Sequence, residues 1–158
     1  DMARTNTRIV TQLQSSFYKQ IRGNILNTAP LFELFEDFAQ YILIEEFETA
    51  HFDPGAVIVE PGDETSPLYI VASGSVELRV VPEDGGEPTV FEVAIINQSI
   101  GATSHPCNGV KVDAVARTRL TVLKLDAAKF TEQFADHPRA REHLENIAKE
   151  RLVAAKAL

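Results

Sequence analysis

The 158-residue chain has no tryptophan, one methionine and a single cysteine. That lone thiol, Cys107, excludes an internal disulfide and fits a reducing compartment. Long apolar runs are missing too. None approaches the roughly 20 residues that cross a bilayer, and no signal-peptide pattern opens the sequence. Positive charge is scarce: 15 lysines and arginines face 23 carboxylates, for a formal net charge of -8. Such a surface disfavours the phosphates of nucleic acid and of anionic lipid, so neither a nucleic-acid partner nor direct membrane insertion is expected.

Catalytic and metal motifs are equally sparse. No phosphate-loop lysine motif or nucleophile elbow occurs. His105 and Cys107 flank Pro106, but two donors do not close a metal site, and His137 and His143 lack zinc spacing. Asn97-Gln98-Ser99 matches the glycosylation triplet and is read as a chance match. The expectation is a non-enzyme with no metal and no resident cofactor. The chain opens at Asp1 without an initiator methionine, and it reads as a piece of a larger protein.

What is present falls into three blocks. Residues 1–41 form a helical lead-in, in which Val10, Leu13, Phe17, Ile21 and Ile25 recur at three- and four-residue steps and share one face. Asn27-Thr28-Ala29-Pro30 breaks that period, with Thr28 expected as the cap of a short second helix carrying Leu31, Phe32, Leu34, Phe35 and Phe38. The acidic surface and the apolar helix stripe fit homodimer contacts through these N-terminal helices.

Residues 42–125 change character. Short β-rich runs alternate with turn residues: Val57-Ile58-Val59 between Pro54-Gly55 and Gly62-Asp63, then Leu68 to Val71, Gly74, and Val76 to Val80. Asp84-Gly85-Gly86 signals a hairpin before Val90 to Val93. Val112 to Ala116 and Leu120 to Leu125 read as two more strands. Many short strands without intervening helices predict an antiparallel, jelly-roll-like β-roll, and the fold class is α+β. Gly62 and Gly74 are expected to hold its tight corners.

In residues 126–158 the helical period returns. Asp126 is expected to cap a short helix with Phe130 and Phe134, and Asp136-His137-Pro138 restarts a final one. There Leu144, Ile147, Ala148, Arg151, Leu152 and Ala155 stack at helical spacing.

The stretch "FDPGAVIVEPGDETSPLYIVASGSVELRV", residues 52–80, inside this order of helices, roll and helices, resembles the cyclic-nucleotide-binding domain family. The shared features are Pro54-Gly55, Val57-Ile58-Val59, Gly62-Asp63, Leu68-Tyr69-Ile70-Val71 and Gly74, in order and at matching steps. The resemblance implies a regulatory domain on the cytoplasmic side of a larger protein, an ion channel or transporter, with 126–158 as hinge and lid helices. The rest of that parent is then its partner.

The same resemblance points to "SIGATSHPCNGVKVDAVART", residues 99–118, as the phosphate-binding loop. Family members that bind cyclic nucleotides carry Phe-Gly-Glu there, then an arginine followed by a small residue. The glutamate accepts from the ribose hydroxyl, and the arginine makes a charge-assisted bond to the phosphate. Here Ile100-Gly101-Ala102 stands in place of Phe-Gly-Glu, so the carboxylate is gone. The arginine position falls on Val110 or Lys111, according to the end from which it is counted. The candidate ligand-binding residues are therefore Ile100, Gly101, Ala102, Thr103, Ser104, Val110 and Lys111. The expected function is a coupling module with little or no cyclic-nucleotide binding. The alternative is a genuine cyclic AMP or cyclic GMP sensor using loop amides, Thr103, Ser104 and Lys111.

Overall fold

Turn residues cut the middle of the chain into short extended runs that can pair only with one another. The computed structural model describes residues 19–25, 28–60, 66–101 and 111–158. Residues 19–25 are helical, a 3-10 helix follows at Pro30–Leu34, and α1 covers Asp37–Glu46. The strands are β1 (Glu48–Phe52), β2 (Val57–Val59), β3 (Leu68–Ser73), β4 (Val76–Val81), β5 (Thr89–Ala94), β6 (Ser99–Gly101), β7 (Lys111–Ala116) and β8 (Leu120–Leu125). Two helices end the chain, α2 (Ala127–Phe134) and α3 (Pro138–Lys156).

The strands form two four-stranded sheets, ordered β1-β8-β3-β6 and β2-β7-β4-β5, and every pair is antiparallel. Between the sheets lies an apolar interior that includes Ile58, Tyr69, Val71, Leu78, Ile100 and Val122. The opposite face of the first sheet carries Leu68, Ile70, Leu123 and Leu125, which pack against Phe32, Phe47, Phe134 and Leu144 from the helices. β3 is covered on both sides, which explains its unbroken apolar run Leu-Tyr-Ile-Val-Ala. Phe32, Phe47 and Phe134 are fully buried. Each contributes about 1.5–3 kcal/mol through the area it hides.

Several local expectations need correction. The strands begin at Glu48 and not at residue 42, because Ile42, Leu43 and Ile44 complete α1. Leu43 and Ile44 are buried against the helical core, and that packing outweighs the strand preference of an Ile-Leu-Ile run. Leu31 to Phe38 is not one helix: the 3-10 turn ends, Phe35 and Glu36 are extended, and Phe38 starts afresh on α1, 77% exposed. Thr28 caps nothing; its hydroxyl donates back to the Asn24 carbonyl. Asp126 does occupy the N-cap position of α2, without a side-chain capping bond. Val10, Leu13, Phe17 and the Gly62-Asp63 turn lie outside the described residues.

Candidate functional site

The two strands that bracket the suspected phosphate loop belong to different sheets, so the segment between them passes from one sheet to the other. β6 enters from the first sheet, pairing Ile100 with Tyr69 and Gly101 with Leu68. Alternation turns Ile100 into the roll interior, where it is 3% exposed and has no polar group to offer a ligand. Gly101 has φ +81, and a Cβ there would stand 2.3 Å from the Pro67 carbonyl oxygen. Only glycine serves at that junction. Lys111 opens β7 opposite Val81 and is exposed. Ala102, Thr103, Ser104 and Val110 lie outside the described residues, as do His105, Pro106 and Cys107.

One charged pair stands close to the loop exit. Arg79 Nε donates to Asp113 Oδ1 at 2.9 Å, and its Nη2 donates to Oδ2 at 2.7 Å, a two-pronged pairing between β4 and β7. Asp113 is 4% exposed. The hydrogen bonds to Asp113 hold the Arg79 guanidinium above its ordinary pKa, against the opposing effect of burial. The pair is not turned toward the roll interior. Leu78 and Ala114, one residue along each strand, face the roll interior, so Arg79 and Asp113 face away from it. Sequence reading passed over this pair. Its one signal was a carboxylate inside the apolar run Val112 to Ala116, since a buried charge needs a partner.

The final helix makes a second polar tie. α3 buries Ala140, Leu144 and Ala155, and Arg151 Nε donates to Glu92 Oε2 of β5 at 2.8 Å. Beside this ion pair is an open cleft of about 470 Å³ between α3, the 3-10 turn and the β5–β6 turn. Ile70 on its floor belongs to the helix-facing side of β3, which places the cleft outside the roll interior. Among the described residues no cluster of three His, Cys, Asp or Glu could hold a metal, and no helix is long and apolar enough to cross a membrane.

Comparison with known proteins agrees with this geometry. A candidate potassium channel protein from Rhodopseudomonas palustris is 26% identical over 109 residues, which are 69% of this chain and 26% of that protein. The chain therefore spans about a quarter of that relative's length. Among solved structures, the regulatory subunit of a cAMP-independent protein kinase A from Trypanosoma cruzi, bound to guanosine, superposes with a TM-score of 0.63 at 24% identity. It covers 83% of this chain and 51% of that one. The catabolite activator protein of Thermus thermophilus gives a TM-score of 0.64 at 24% identity, covering 81% of this chain and 60% of its own. These likenesses show the fold. The family model for the cyclic nucleotide-binding domain matches residues 49–137, from β1 through α2. With more than half of its length inside that match, the chain belongs to the cyclic nucleotide-binding domain family.

Proposed function

We propose that this regulatory domain couples parts of a larger protein mechanically and has lost the family's ordinary recognition of a cyclic phosphate. One observation carries the reading: at the described entrance of the loop, Ile100 is turned into the roll interior at 3% exposure and Gly101 has no side chain, so neither offers an anion a donor or a charge. A cyclic phosphate is an anion, and leaving it in such surroundings without a charged partner costs several kcal/mol. The loop position of the family's glutamate holds Ala102, and that of its arginine holds Val110 or, in the other register, Lys111, which lacks the planar fork. Each missing charge-assisted bond weakens binding by about 1.5–3 kcal/mol, or roughly ten- to a hundredfold.

The parent we propose is a membrane channel or transporter, with this domain on its cytoplasmic side. The likeness to a candidate channel protein supports that setting. Coupling would run through α3, which is tied to the roll by the Arg151–Glu92 pair.

A cyclic-nucleotide sensor is the second reading, and the exposed Lys111 at the start of β7 favours it. An ammonium there offers a point charge without the planar fork of arginine. Calorimetric titration of the domain with cyclic AMP, cyclic GMP and guanosine separates the readings. Guanosine is included because a structure of the same fold holds it. The coupling reading expects millimolar or absent binding of both cyclic nucleotides. Micromolar binding of either one supports the sensor, and guanosine binding alone would mark a pocket that keeps a nucleoside without its phosphate.

A further inference from the structure

Helix α1 buries Leu43 and Ile44 against the helical core, yet its other side is not polar. Phe38, Tyr41 and Ile42 are 77%, 65% and 46% exposed. Their spacing of three and four residues places them side by side on one helix face. Together they leave roughly 300–400 Å² of mostly apolar surface in water, judged from the 150–250 Å² that an aromatic side chain can bury. A patch of that size is comparable to the largest on a typical monomer, and such patches are often functional.

The charge around the stripe says what covers it. From Glu33 to Glu48 the sequence carries six carboxylates and neither lysine nor arginine. Glu45 pairs with Arg22 at 3.7 Å and Glu46 with Lys129 at 3.5 Å. The other four, Glu33, Glu36, Asp37 and Glu48, are exposed and make no ion pair among the described residues. Two copies packed antiparallel through this stripe would bring Glu36 and Asp37 of one against Glu45 and Glu46 of the other. Like charges brought together in this way count against self-association.

We propose that the Phe38–Tyr41–Ile42 face of α1 is a docking surface for a basic amphipathic helix of a partner protein. The partner's apolar side would cover the two aromatic rings and Ile42, and its lysines or arginines would meet the acidic flanks, as in helix-on-helix recognition by regularly spaced apolar anchors. The proposal stands apart from the nucleotide pocket, since α1 lies on the helical side of the first sheet.

The absence of tryptophan makes the test direct, because a tryptophan in a probe peptide is then the only one in solution. The probe is a synthetic helix of about 18 residues with leucines on one face, lysines on both flanks and one tryptophan, long enough to hold helical structure. A matched control replaces every lysine with glutamate. The expected result is saturable binding of the basic peptide and none of the acidic one. Binding should weaken at least tenfold in Phe38→Ser/Tyr41→Ser, and circular dichroism should show that variant folded, since both side chains are exposed. Charge reversal by Glu36→Lys/Asp37→Lys should also weaken the basic peptide. Equal binding of both peptides, or unchanged binding by the serine variant, overturns the proposal. So does a concentration-dependent dimer in sedimentation that the serine variant dissolves, because the stripe would then belong to a second copy.

Discussion

Alanine at Gly74 should destabilise the roll far more than alanine at Gly85, although both glycines have nearly the same backbone. Their φ values are +91 and +80. At Gly85 a Cβ would meet nothing within 4 Å. There the substitution carries only the left-handed penalty of roughly 1–2 kcal/mol, partly offset by a less flexible unfolded chain. At Gly74 a Cβ would lie 2.3 Å from the Arg119 carbonyl oxygen, 2.9 Å from Thr118 Oγ1 and 3.1 Å from Leu120 Cα. Two of those neighbours are backbone and cannot rotate away. They are also fixed in place: the Ser75 amide donates to Thr118 Oγ1 at 3.1 Å, and the Arg117 amide donates to the Ser75 carbonyl at 3.0 Å. The β3–β4 corner is thereby sewn to the β7–β8 corner. Overlap of this kind adds about 1–3 kcal/mol. The total for Gly74→Ala is about 2–5 kcal/mol, and for a chain of this size it lowers Tm by roughly 5–15 °C. Urea and thermal unfolding followed by circular dichroism measure both variants. Equal losses at the two positions would refute the close approach and leave only the φ preference.

Two further outcomes follow from the ion pairs. Asp113→Ala should cost about 2–4 kcal/mol, because it leaves the Arg79 guanidinium partly buried without its partner, and Arg79→Met/Asp113→Leu should recover most of that loss in urea unfolding. A double variant as unstable as the single one would show that the strands need this pair for more than charge compensation. Arg151→Ala should change global stability by only about 1 kcal/mol, since the pair is partly exposed, while hydrogen exchange across residues 145–156 quickens. Unchanged exchange there would show that α3 is held by packing alone.

The sequence exposed strands wherever both of their faces, or one face cleanly, are apolar. Leu68 to Val71 shows through as an unbroken apolar run, and Leu120 to Leu125 as a mostly apolar one interrupted by Thr121 and Lys124, because each lies between two other strands. β1 went unseen for the opposite reason. Glu48-Thr49-Ala50-His51-Phe52 is an edge strand with only Ala50 and Phe52 turned to the interior. β6 has three residues and hid inside what looked like loop. Ile42 to Ile44 looked extended because branched side chains favour strands, and only the packing of Leu43 and Ile44 reveals α1. At the candidate site residue types alone were legible: Ala102 where the family's glutamate would stand, and Val110 or Lys111 where its arginine would. The Arg79–Asp113 and Arg151–Glu92 pairs were not, being separated by 34 and 59 positions and joined only by strand register and helix docking.

If absent charge disabled the pocket, charge should restore it. The most direct measurement is the cyclic AMP and cyclic GMP affinity of Ala102→Glu/Val110→Arg beside wild type, with Ala102→Glu/Lys111→Arg as the second register. Each restored partner should tighten binding by roughly ten- to a hundredfold. The account predicts that wild type binds at millimolar concentration or not at all, and that one of the two double variants reaches the micromolar range. Micromolar binding by wild type, or no gain in either variant, would contradict it.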